Sequence, residues 1–184
     1  MALSSVSINR APVLTLWAAV VAERLGYGHA TALPLGKAVA GLNAQAKGRS
    51  LGIFGAPKGP ERGEKPKKHG LGEDYFVTVL HRPVPVKEMP EGLRAVVKDQ
   101  PIDPVSVEKY LASKFGEALA DARSAMEALA GAYEADDLEE LSYELYERFR
   151  PAIAAGKRGW GQQGELDLDM IREMAKEGDK EQDG

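Results

Sequence analysis

The stretch "AERLGYGHATALPLGKAV", Ala22–Val39, decides how the first third of this chain is read. Upstream of it, Val13, Leu14, Trp17, Val20, Val21 and Leu25 recur at helical spacing, and Pro12 suits a first turn because it has no N–H to lose there. Gly26 is a natural helix stop. A second helix is predicted from about Thr31 to Lys47, with Leu35, Val39 and Leu42 on its apolar side. Gly36, Ala40 and Gly41 allow a neighbour to approach closely, and Gly48 ends the helix. Two helices joined by a tight turn are therefore expected.

Working outward, the apolar run Val13–Ala22 follows Arg10, a little like a signal peptide. Glu23 and Arg24 follow at once, and the run is far short of the ~20 residues a membrane span needs. It reads as a buried helix. Met1–Asn9 reads as polar and loose. Leu51–Phe54 is a short candidate strand, and Tyr75–Leu80 ("YFVTVL") is the strongest strand in the chain. The two are expected to pair as a two-stranded arm, stopped by Pro83 and Pro85. Between them, "GAPKGPERGEKPKKHGLG" (Gly55–Gly72) has little to bury and reads as a mobile basic loop.

Beyond Pro101 the pattern is helical again. Asp103 is a good N-cap with Pro104 at the first helical position. Val107, Leu111, Phe115, Ala118, Ala122, Met126, Leu129 and Tyr133 form one apolar stripe, with a bend expected at Gly116. Asp136 and Glu139 resemble a capping box opening a helix with Leu138, Leu141, Leu145 and Phe149. A last short helix starts near Asp167, with Leu166 and Ile171 as a hydrophobic staple, and fades from Lys176.

The expected fold class is mainly α: a compact helical domain with a small two-stranded β arm. The helical pair spans 8–50, the arm 51–86 with its basic loop at 55–72, and the C-terminal helices 100–176 pack with the pair as one domain.

Composition narrows the chemistry. There is no cysteine among 184 residues, which excludes disulfides, thiolate metal sites and cysteine nucleophiles, and suits a cytoplasmic protein. The net charge is only −4, but residues 1–70 carry ten Lys/Arg against three Asp/Glu, and residues 71–184 carry fourteen against twenty-five. A half at +7 attracts phosphate; a half at −11 repels it, or attracts the first half within or between subunits.

No catalytic motif survives scrutiny. "GRSLG" (Gly48–Gly52) fits G-x-S-x-G, but a nucleophile elbow needs a strand before the serine and a helix after it, and here the order is reversed. "GWGQQG" (Gly159–Gly164) fits G-x-G-x-x-G, but too little chain follows for a dinucleotide-binding βαβ unit, and Asp167 and Asp169 crowd the helix start that a pyrophosphate would need. The segment reads as a structural hook with Trp160 buried. Glu134, Asp136, Asp137, Glu139 and Glu140 sit at a helix start, where the dipole favours acids. His29, His69 and His81 lack metal-ligand spacing. No cofactor or metal is expected.

With Ala22 as the small residue and Gly26 in the turn, buried positions fall on Val21, Leu25, Ala32 and Leu35, and Tyr27 follows the turn. Over residues 17–37 the chain thereby resembles helix-turn-helix proteins, whose second helix enters the DNA major groove. That resemblance implies that His29, Ala30, Leu33, Pro34 and Lys37 face the bases. Of these only His29 and Lys37 carry hydrogen-bonding groups suited to base edges, and Leu33 suits a helix contact better than a groove. Packing pair and DNA reader are both open on sequence alone. The chain as a whole resembles uncharacterised bacterial proteins that pair "APVLTLWAAVVAERLG" (Ala11–Gly26) with a later "RGWG..GELDLDMI" (Arg158–Ile171), a resemblance that implies no activity.

The leading expectation is a non-catalytic binding protein that contacts DNA or RNA, with little sequence selectivity, through its basic N-terminal half. The candidate contacts are His29, Lys37, Lys47, Arg49, Lys58, Arg62, Lys65, Lys67 and Lys68. The alternative is a homo-oligomeric protein–protein adaptor, and the third reading an enzyme of unassigned chemistry.

Overall fold

The computed structural model of the chain describes residues 4–50, 74–80, 82–90, 92–97, 100–151 and 163–183. Strand β1 (Ser5–Asn9) leads into helix α1 (Arg10–Arg24), then α2 (His29–Ser50). Strands β2 (Asp74–Val79), β3 (Arg82–Met89), β4 (Gly92–Val97) and β5 (Gln100–Pro101) follow. Helices α3 (Pro104–Phe115), α4 (Leu119–Gly131) and α5 (Ala135–Phe149) come next, then β6 (Gln163–Asp167) and α6 (Leu168–Asp183). The fold is mainly α, as expected.

The α1–α2 pair is the centre. Every residue of α1 from Pro12 to Ala22 is buried, so this helix is covered on all sides rather than on one stripe. Trp17 anchors it: its indole N–H donates to the Ser142 carbonyl at 2.9 Å, and its ring meets Phe149 edge-on at 5.3 Å. The turn after α1 is a Schellman motif, with Gly26 N–H donating to the Glu23 carbonyl and Tyr27 N–H to that of Ala22. Gly26 takes φ 114°, which a side chain would resist. The helices then cross so closely at Gly36 that a Cβ there would collide with the Thr15 carbonyl oxygen. Leu33 and Leu35 are both buried, at 1% and 0% exposure.

The β content exceeds a two-stranded arm. β2–β3–β4–β5 form one antiparallel sheet, and β1 pairs antiparallel with β6. Two sequence readings are corrected here. Residues 5–9 are not loose but pair in register with β6, Ser5 opposite Asp167 and Asn9 opposite Gln163. Pro83 and Pro85 do not stop the sheet but lie inside β3, opposite Thr78 and Phe76. Being two apart, they place their missing donors on one side of the strand, the side on which β4 reaches only Val86–Met89. Among the described residues β2 pairs with β3; Leu51–Phe54 lies outside them, as do the basic loop and Trp160.

The C-terminal helices follow the sequence with local changes. Asp103 caps α3, its carboxylate accepting from Val105 N–H at 3.0 Å. The stripe from Val107 to Tyr133 is buried throughout, but Gly116, at φ 57°, breaks it into α3 and α4 with a short 3-10 turn between. The N-cap of α5 is Glu134, not Asp136; Asp136 and Asp137 sit in its first turn. Asp167 caps α6, accepting from Met170 N–H at 3.0 Å, with Leu166 and Ile171 buried beside it, and the helix runs past Lys176 to Asp183.

Candidate functional site

The sequence-predicted contacts separate into two groups. His29 and Lys37 are described, and both are engaged within the fold. His29 opens α2 and places Nδ1 2.6 Å from Glu23 Oε1 and Nε2 2.9 Å from Glu108 Oε1. Arg123 of α4 reaches the other Glu23 oxygen at 3.4 Å. Carboxylates only accept, so both ring nitrogens donate and the ring is an imidazolium. The hydrogen bond to Glu108, then that to Glu23, holds its pKa above the ordinary 6.5. This cluster ties α1, α2, α3 and α4 together at the hairpin's turn.

Lys37 lies with Nζ 3.8 Å from the centre of the Tyr110 ring, a cation–π contact. Burial, and then Lys114, lowers its pKa. The backbone of α2 carries Lys47 and Arg49 in its last turn. Lys58, Arg62, Lys65, Lys67 and Lys68 lie outside the described residues.

An open cleft of about 350 Å³ lies behind the hairpin turn, lined by Leu25, Gly26, Tyr27, Thr78, Ala135, Asp136 and Glu139. Its charged groups are carboxylates, and burial, then Glu139, raises the Tyr27 phenol. Its carboxylates repel anions. Among the described residues no group of three or more His, Asp or Glu side chains is placed to hold a metal. No helix there is long and apolar enough to cross a membrane.

A second cationic corner escapes a reading of the sequence. It forms at the other end of α1, where that helix begins and α5 ends. Arg10 donates from Nε to the Pro151 carbonyl at 2.9 Å, and Arg150 N–H closes α5 on the Tyr146 carbonyl at 2.8 Å. Tyr146 is fully buried, and its hydroxyl has no hydrogen-bond partner among the described residues. Arg10 and Arg150 are 140 positions apart in the sequence, so no local pattern announces their meeting. Comparison with protein-family models, curated proteins and solved structures finds no match to this chain.

Proposed function

We propose that this chain is a non-catalytic binding protein whose partner is a nucleic acid, DNA or RNA, held mainly by charge. The observation that carries this reading is the concentration of positive charge in one segment. His29 and Lys37 are occupied by Glu23, Glu108 and Tyr110. The remaining seven candidate cations, Lys47 to Lys68, are offset only by Glu61 and Glu64 within the same 22 residues, a net +5. Such a segment neutralises phosphates without reading bases. The burial of Leu33 favours this over groove reading, because the second helix has an apolar residue inside the fold where a reader needs a polar one on the surface.

Fluorescence anisotropy of the full chain against labelled DNA and RNA, titrated with salt, tests the reading. Binding is expected at low salt with weak sequence preference. Replacing Lys65, Lys67 and Lys68 together by Gln is expected to weaken it and to flatten the salt slope by about 0.9 for each duplex phosphate no longer neutralised. Absence of binding to either polymer at low salt overturns it. The second reading is self-association through β2, the outer strand of its sheet among the described residues, on which Phe76 is 41% exposed. A fall in sedimenting mass on Phe76→Lys would favour it.

A further inference from the structure

We propose that the notch between the outer edge of β4 and the first turn of α2 binds a carboxylate, held by the Arg94 guanidinium and the Thr31 hydroxyl. This goes beyond the polymer reading and stands without it.

The observation that carries it is a buried positive charge with no counter-charge. Arg94 is 9% exposed, and among the described residues its one bond runs from Nη1 to the carbonyl of its neighbour Leu93, at 2.9 Å. Arginine is rarely buried unpaired, because its charge leaves water without an ion to replace it. The sheet adds to the cost: Lys87 stands directly opposite Arg94, a like charge across the strands. Glu88 stands opposite Leu93, so it projects from the other face of the sheet, and it has a partner of its own.

The strand edge and a glycine place the ligand. β5 pairs only with Val96 and Val97, so beside Leu93 and Arg94 this edge of β4 carries no strand among the described residues. The carbonyls of Leu93 and Ala95 both face it: the first accepts from Arg94, the second from Ile102 N–H at 2.8 Å. α2 packs against β4, and Gly92 leaves space between them. A Cβ on Gly92 would lie 3.4 Å from Arg94 Nη1 and 4.0 Å from Thr31 Oγ1 and, its chain neighbours apart, would meet no other heavy atom within 4 Å. Two donors from separate elements thus border one open space. Nε and Nη2 of Arg94 are unbonded but not sealed, since among the described residues the Tyr146 hydroxyl is the one sealed side-chain atom without a partner. A ligand therefore reaches the guanidinium with no side chain displaced.

The start of α2 favours the same occupant. The Gly28 carbonyl accepts from Thr31 N–H at 3.0 Å and Ala32 N–H at 2.8 Å, so the first turn of this 22-residue helix, with its positive dipole end, lies at Thr31. The carboxylates that hold His29, Glu23 and Glu108, are on the other side of the helix, because two residues turn it by about 200°. Arg94 keeps the side-on fork of Nε and Nη2, which takes both oxygens of a carboxylate, and Thr31 supplies a further donor. One unmatched cation suits a monoanion. A phosphate dianion would bring a second charge with no cation left to match it, Lys87 having another interaction.

The test uses the full chain and acetate. Thermal unfolding is followed in sodium acetate and in sodium chloride at equal ionic strength, with calorimetric titration of acetate alongside. Acetate is expected to raise the wild-type midpoint above that in chloride. Arg94→Lys, which loses the fork, and Thr31→Val, which loses the hydroxyl, are each expected to weaken acetate binding by about tenfold, as for one hydrogen bond to a charged group. In chloride, Arg94→Met should unfold no earlier than wild type, since it keeps the stem and removes an unmatched charge. No acetate-specific gain in the wild type, the same gain in both binding variants, a larger gain from phosphate, or an earlier unfolding of Arg94→Met in chloride overturns the proposal. N-acetylated trialanine separates the sources of the carboxylate. Tighter binding than acetate, lost on amidating its C-terminus, identifies a peptide terminus; weaker binding than acetate identifies a small carboxylic acid; equal binding of the amidated form overturns the site. Neutralising Lys65, Lys67 and Lys68 should leave the acetate gain intact, which separates failure of this site from failure of the polymer reading.

Discussion

The two ends of α1 carry cations in opposite circumstances. At the turn end, His29 and Arg123 are matched by Glu23 and Glu108. At the opposite end, Arg10 and Arg150 sit together with an orphaned phenol and no carboxylate among their described partners. A single positive charge in a sequence is thus weak guidance to a ligand site. What matters is whether the fold has already supplied its counter-charge. His29 is a candidate by sequence and is occupied. Arg150 is not a candidate by sequence, and it remains uncommitted among the described residues.

The comparison breaks most completely if the helix pair that carries both ends is forced apart. Gly36→Ala places a methyl group against the Thr15 carbonyl and the Ala19 backbone. It is expected to cost about 3 kcal/mol, at the upper end for an over-packed core, because the obstacle is main chain. Chemical denaturation reads this directly. An unchanged midpoint would show that the crossing has room.

A smaller effect sharpens the contrast between the ends. Glu23→Gln removes the negative charge, and one of the two acceptor oxygens, that His29 and Arg123 share, and is expected to cost about 1 kcal/mol, since the cluster is partly solvated. Tyr146→Phe at the other end should carry no such penalty. The turn end also predicts a pH dependence. The pKa of His29 is raised in the folded state, so its contribution is fully present below the unfolded value near 6.5 and is lost as pH rises through the folded pKa. Stability should therefore fall modestly from about pH 6 to pH 8 in the wild type, and less steeply in Glu23→Gln. Equal slopes would remove His29 from the account.

The smallest expected effect concerns Lys37. Lys37→Met keeps the buried stem and loses the charge over Tyr110, for about 0.5 kcal/mol. Nucleic-acid affinity should not change beyond twofold; a larger fall would return Lys37 to the binding surface.

What the sequence made legible was local. The caps at Asp103 and Asp167, the stop at Gly26, the break at Gly116 and the burial of Leu33 all follow from short-range pattern. The misses were of two kinds. β3 was hidden because the β2–β3 turn lacks Asn-Gly or Asp-Gly; Leu80 occupies it at φ 51°, held there by a side chain 1% exposed. β1 was hidden because its partner, β6, lies more than 150 residues downstream, and the alternation of Val6 and Ile8 with Ser5, Ser7 and Asn9 spans only five residues. The cationic corner was hidden for the same reason of distance.

The indole of Trp17 has a consequence for how this chain is made. Its hydrogen-bond acceptor, Ser142, lies 125 residues downstream. At synthesis rates of ~5–20 residues per second, the two are separated by about 6–25 s. For that interval α1, apolar on every side, must wait for the helices that will enclose it. The nascent chain is then a substrate for whatever binds exposed hydrophobic helices at the ribosome. A programmed slowing of translation between α2 and α5 would lengthen that exposure and lower the yield of folded protein.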